Sequence, residues 1–246
     1  KDSRLPVGTR LALRSYHRPH PAVFMEADIR TLLRNVSVHY AEGMGLVAQM
    51  CTDIHLDGFN VCLAKGSQRY FTTQADATHF VQCRGTLISE NGLYEGMMDD
   101  AINVHGVYLR VRQRINNRTL RCRFEHNQTF GYKWGEPGDS VVFVRSATMD
   151  QLPFTATIRS INTAGGPIAG TLEYIITLDR DLPEEISDKE GYGIENITWT
   201  PEVVFRNSTV RNNRARGALF SSARATVCED NFFDHTSGTA ILLCGD

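Results

Sequence analysis

Short strand-like segments separated by polar turns recur along the chain, and long helical periodicity is nearly absent. Asn35-Val-Ser-Val38 and Asp53-Ile-His-Leu56 alternate apolar and polar residues 18 positions apart. Residues 71–77 and 98–104 follow in the same style. Later, Gly217-Ala-Leu-Phe220 and Thr239-Ala-Ile-Leu242 match at an offset of 22, as do the strands before them near Val210 and Phe232. A coil of this size cannot bury its own apolar side chains, so it must stack on the next one. Asn207, Asn212, Asn213 and Asn231 make Asn-rich turns that suit such a stack. The pattern predicts an all-β chain built as a right-handed parallel β-helix, a solenoid. The L-x-x-L-x-L pattern of a leucine-rich repeat is absent. A β-sandwich is the alternative that strand count alone leaves open.

The middle of the chain breaks the repeat. Gly135-Glu-Pro-Gly138 precedes Asp139-Ser-Val-Val-Phe-Val144, then come residues 154–161, a Gly165-Gly-Pro167 turn and residues 171–178. Longer strands with tight turns predict a small antiparallel β-barrel inserted between coils. Residues 181–185 and 188–190 read as its polar exit loop. The predicted division is coils over 1–115, an inserted barrel over 116–201, and resumed coils over 202–246.

Composition narrows the function classes. A net charge of -2 gives no electrostatic footprint for nucleic acid. No apolar run approaches the ~18 residues of a membrane helix, so no membrane span is expected. None of the six cysteines stands in C-x-x-C spacing, which argues against a zinc ribbon and for buried core positions. The chain opens in a polar segment without a signal peptide and stops just after an apolar strand. It is expected to be part of a longer protein.

Chemistry concentrates in Ala75-Asp76-Ala77-Thr78-His79 and Met98-Asp99-Asp100-Ala-Ile-Asn103-Val-His105-Gly106. Aligning Asp76-Ala77 with Asp100-Ala101 gives an offset of 24, about one coil. Stacked strands lie ~4.8 Å apart, so Asp76, Asp99 and Asp100 should converge on one face. Like charges this close favour keeping one acid protonated. Glycoside hydrolysis uses such a pairing: one carboxyl protonates the leaving oxygen, another activates water or attacks carbon. On a flat strand one of two adjacent aspartates would enter the core, so a bend is expected at Asp99-Asp100. A solvated turn and a Ca²⁺ site are the competing readings.

These motifs, with Phe71-Thr-Thr-Gln-Ala-Asp76, Gly43-Met-Gly-Leu-Val-Ala-Gln49, Arg216-Gly-Ala-Leu-Phe220 and the closing residues 240–246, resemble glycoside hydrolase family 110. The likeness spans nearly the whole chain, barrel included. It implies an exo-acting, inverting bacterial α-galactosidase that removes terminal α-1,3-linked galactose from blood-group-B-type or linear glycans. It further implies Asp99 as general acid, with Asp76 and Asp100 holding and deprotonating the water. Inversion requires the acid and base to stand about 6.5–9.5 Å apart. The implied partner is a glycan with terminal α-galactose, in the periplasm or outside the cell, with no cofactor and no metal.

The same stretch supplies candidates for substrate contact. His79 is the 24-residue counterpart of Asn103, and His105 is a candidate for a sugar hydroxyl. Glu95, beside Tyr94, is a candidate for the pocket rim, and Arg216, near Arg214, for a hydroxyl clamp. Gln49 falls 27 residues before Asp76 and would extend the row. Trp134 and Trp199 lie in the insertion and are expected in the barrel core. A polygalacturonase-like pectinase is the second enzyme reading, but no R-x-K pair follows His105-Gly106. A non-catalytic glycan-binding β-helix is the third, and it would need no carboxylate triad.

Overall fold

The computed structural model describes residues 5–15, 17–165, 171–187 and 191–244. Its strands form three parallel sheets and one closed antiparallel barrel. The first sheet stacks Val23–Glu26, Leu46–Gln49, Thr78–Val81, Ile102–His105, Ala218–Ser221 and Ile241–Leu243. The second stacks Ile29–Arg34, Thr52–Asp57, Arg84–Glu90, Glu202–Arg206 and Thr226–Glu229. The third stacks Ser37–Val38, Asn60–Val61, Leu93–Glu95, Thr209–Arg211 and Phe232–Asp234. The chain visits the three in turn and then returns to the first. Among the described residues, helix is confined to two single 3₁₀ turns, Asn127–Thr129 and Ile197–Trp199.

Strand alternation decides which side chains face the core. In the first sheet, Leu46, Thr78, Ile102 and Ala218 form one buried row, and Ala48, Phe80, Val104 and Phe220 another. Between them, Val47, His79, Asn103 and Leu219 form a row on the opposite face. The corners explain the asparagines. After the second sheet the chain turns at Asn35, Gly58, Asn91, Asn207 and Asp230, each with left-handed φ. Asn and Asp enter that region at lower cost than other L-residues, and Gly at none.

The stacking distances correct the predicted repeat. Ser37–Val38 and Ile54 belong to different sheets, so their spacing of 18 is not a coil. The first coil is 23 residues, as Thr31 pairs with Ile54 and Ser37 with Asn60. The next is 32, with Val47 opposite His79, because a long connection intervenes between Val61 and Thr78. Asn103 lies opposite His79 at the predicted 24. The last coil is 23 rather than 22, since Ala218 pairs with Ile241.

The barrel runs Tyr108–Arg114, Thr119–Arg123, Glu173–Leu178, Asp150–Thr163, Ser140–Arg145 and Tyr192–Asn196, the last closing on the first. Its first strand begins ahead of the 116 boundary, because residues 108–114 alternate as a coil strand would. The segments expected at 166–167 and 188–190 lie outside the described residues. Trp134, Phe124, Phe143 and Tyr192 fill a barrel core separate from the coil core. Trp134 and Trp199 are both buried and give their indole N–H to the Val107 carbonyl and Asp139 respectively.

Two stability predictions follow from this packing. A Cβ on Gly217 would meet the Ala240 carbonyl oxygen at 2.4 Å and Phe233 at 2.5 Å. Gly217→Ala is expected to cost about 1–3 kcal/mol in denaturant unfolding, as overpacking does. At the seam between barrel and coils, buried Glu195 accepts from the Tyr108 hydroxyl at 3.1 Å through one oxygen, and its other oxygen has no protein partner. Burial pushes its carboxyl up, against the Tyr108 hydrogen bond. A raised folded-state pKa contributes stability at low pH that is lost as pH rises through it. Glu195→Gln is therefore expected to gain stability over the parent as pH rises from about 4 to about 7, read by urea unfolding.

Candidate active site

The aspartates sit at the entrances to strands of the first sheet. Asp76 lies two residues before Thr78–Val81, and Asp99-Asp100 bend just before Ile102–His105. Adjacent coils are tied at this level: the Ala77 N–H donates to the Asp100 carbonyl at 2.8 Å, and the Gly45 N–H to the Asp76 carbonyl at 3.0 Å. One carboxylate oxygen from each of Asp76, Asp99 and Asp100 lies within 4.8 Å of the other two. That is closer than the separation of about 6.5–9.5 Å expected for inversion. Asp76 and Asp100 are direct neighbours across the rung, as the offset of 24 predicts, and the Asp100 N–H reaches Asp76 Oδ1 at 3.3 Å.

Each carboxylate has its own basic partner. Asp99 Oδ2 accepts from Arg14 at 2.7 Å and Arg18 at 2.8 Å, and its side chain is 16% exposed. Asp100 is fully buried and held by Arg216, which donates Nε and the backbone N–H to Oδ1 at 2.9 Å and an η nitrogen to Oδ2 at 2.6 Å. Burial pushes the Asp100 carboxyl up and the Asp76 charge adds to this, while the Arg216 hydrogen bonds pull it down. His79 Nδ1 lies 2.7 Å from Asp76 Oδ2. Asn213 braces the bend by donating to the Asp99 and Arg216 carbonyls at 3.2 and 2.6 Å. Side chains thus face each carboxylate, and three carboxylates this close are also a group that could hold a cation.

A cleft of about 600 Å³ adjoins this cluster. His79, Asn103 and His105 line it from the sheet, and Tyr108, Glu125, His126 and Tyr132 from the barrel side. The aspartates themselves lie outside its lining; His79 and Arg18 belong to both cleft and cluster. A cleft of this size suits a small ligand.

The other expected contacts fall differently. Arg216 engages both oxygens of Asp100 through Nε and one η nitrogen, and its side chain is 36% exposed. Glu95 sits on the third sheet against Arg211 at 3.2 Å, outside the network around the aspartates. Tyr94 is fully buried and bonds Ser89 at 2.8 Å. Gln49 pairs with Val81, not with Asp76, and is held by Glu26 and Tyr132. Arg214 is exposed. Asn213 was read only as a turn residue, and Arg14 and Arg18 escaped the sequence reading. The two arginines lie in an irregular segment with no strand and no period.

Comparison with known proteins fits this geometry. The family description GLAA-B beta-barrel domain II matches residues 119–190, within the barrel. Over its whole length the chain is 58% identical to Alpha-1,3-galactosidase B of Bacteroides fragilis (strain YCH46) and covers 42% of that protein. It is 57% identical to an Alpha-1,3-galactosidase B of Phocaeicola vulgatus, covering 41%, and 56% identical to that of Parabacteroides distasonis, covering 40%. The chain is thus similar, over its whole length, to proteins named alpha-1,3-galactosidase. It spans about two fifths of the length of these relatives. The Arg14, Arg18 and Arg216 partners of the aspartates thus belong to an alpha-1,3-galactosidase homologue.

Proposed function

We propose that this chain carries the catalytic centre of an exo-acting glycosidase that releases terminal α-1,3-linked galactose from glycans. The convergence of Asp76, Asp99 and Asp100 within 4.8 Å beside a cleft carries this reading, and the names of the relatives supply the sugar. The three sheets are read as a right-handed parallel β-helix, with the barrel inserted between coils. In this reading Asp99 is the general acid. To serve, its proton must sit on Oδ1 or one guanidinium must leave Oδ2, because Oδ2 already accepts from both Arg14 and Arg18. Asp100 has both oxygens filled by Arg216 and acts as a fixed partner for the water. Asp76 is the base. Blood-group-B-type and linear glycans are the candidate substrates, which places the enzyme in the periplasm or outside the cell.

Inversion at the anomeric carbon is the first reading, from the family resemblance. Retention is the second, favoured by the short spacing of the carboxylates, since retaining enzymes hold theirs about 5–5.5 Å apart. The deciding experiment follows hydrolysis of a terminal α-1,3-galactosyl oligosaccharide by proton NMR. β-Galactose as the first-formed anomer supports inversion, and α-galactose supports retention. Absence of any galactose, with cleavage of polygalacturonate instead, would replace the proposal with the pectinase reading. Activity is expected to persist in excess EDTA; its loss would favour a divalent cation at the aspartates.

A further inference from the structure

The two histidines of the cleft face each other. His79 Nε2 and His105 Nε2 are 3.0 Å apart, with the rings edge to face at 81°. The far nitrogen of His79 meets Asp76 Oδ2 at 2.7 Å, and the far nitrogen of His105 meets the Gly106 carbonyl at 2.6 Å. Strand register produces this: His79 lies opposite Asn103, so His105, two residues on, emerges diagonally on the same face.

Proton counting fixes what this chain of contacts holds. A carbonyl only accepts, so His105 Nδ1 carries a proton. Two ring nitrogens bond only if one carries a proton, and the Asp76–His79 contact needs a third. A carboxylate with two neutral imidazoles brings only two protons. The third makes one ring an imidazolium, or else sits on Asp76. Either way the group of three is neutral.

The other two aspartates are balanced by guanidiniums, which do not titrate in the working range. Among the described residues, the basic group in salt-bridge reach of Asp76 is a histidine. We propose that His79 and His105 share one proton and act as a positioning pair that keeps Asp76 ionised and turned as the base. This rests on the galactosidase reading above. His105 works through His79, whose Nδ1 makes the contact with Asp76. The charged and titratable groups facing the pair are Arg18 from the N-terminal segment, Asp99 and Asp100 from the next coil, Arg216 from the coil beyond, and Tyr108, Glu125, His126 and Tyr132 across the cleft.

Two variants, His105→Gln and His105→Phe, test the pair together. Gln can still donate to His79 but brings no charge, and Phe removes both. With residue 105 neutral, the positive charge can no longer be shared across two rings, which weakens the counter-charge facing Asp76. Both variants are expected to lower kcat about tenfold, to leave KM within about twofold, and to move the acid limb of kcat/KM up by about one pH unit. A rise in KM with an unmoved pH profile would make His105 a sugar contact and overturn the proposal. Nitrogen-15 NMR of the ring nitrogens in the unaltered protein is expected to give one imidazolium across the pair near neutral pH. Two neutral rings there would also overturn it. If the unaltered protein releases no galactose, the galactosidase reading falls, and the ring-nitrogen measurement still decides how the pair is protonated.

Discussion

Asp99→Asn is expected to lower turnover of a terminal α-1,3-galactosyl oligosaccharide by about 10²–10⁴-fold, the range that a positioned acid contributes. The substitution keeps size and shape. An amide oxygen can still accept from Arg14 and Arg18, which now hold the carboxylate at 2.7 and 2.8 Å. It cannot deliver a proton to the leaving oxygen. The thermal midpoint should move little, because the site is partly exposed and both arginines keep a hydrogen-bond partner. An aryl α-galactoside with an acidic leaving group needs less protonation and should lose less rate in the same variant. Turnover within tenfold of the parent on the oligosaccharide would remove Asp99 from the acid role.

Arg216→Ala should have the largest effect on stability. It leaves Asp100, fully buried, without the guanidinium that fills both its oxygens. Breaking a buried pair from one side costs about 3–5 kcal/mol, since the remaining charge is uncompensated. The Arg216 contacts are the influences that pull the Asp100 carboxyl down; burial and Asp76 both push it up. Without Arg216 the raised direction strengthens. A raised carboxyl contributes stability at low pH and loses it as pH rises, so the deficit should shrink on acidification. Adding Asp100→Asn to Arg216→Ala should recover part of the loss at neutral pH. Urea unfolding of the two variants across pH reads both effects. Equal stability of Arg216→Ala and the parent at neutral pH would mean that Asp100 finds water or another partner.

The triad was legible because residues 78–101 form one uninterrupted coil, so an offset counted in sequence is also one rung in space. The neighbouring coil has 32 residues, and there the same counting misplaced Gln49. Asp99's partners were invisible for a different reason. Arg14 and Arg18 lie 85 and 81 residues away, in a segment without strand or repeat, and meet Asp99 only once the coils have stacked. The barrel's strands were readable from their turns, but its entry at Tyr108 was not, since that strand alternates like the coil strands before it. The pairing of His79 with Asn103 was legible, while the contact between His79 and His105 needed the diagonal between rungs. Residue type and period thus report which face a side chain takes; the pairing of charges depends on chain segments that share no period.

The interruption between Ile102–His105 and Ala218–Ser221 bears on the order in which this molecule assembles. Those strands are paired although 116 residues separate them, whereas the last coil closes over 23. For a flexible chain the longer closure would cost about 1.4 kcal/mol more in entropy, from the logarithm of the length ratio. The barrel shortens that path. Tyr108 and Glu195, near its two ends, are paired on adjoining strands. A barrel that folds first delivers the later coil, and Arg216 with it, to the edge where Asp100 waits. The expected kinetic signature is a barrel that acquires protection from hydrogen exchange before the strands on either side of it, so that the aspartate cluster is the last part of the chain to be put in order.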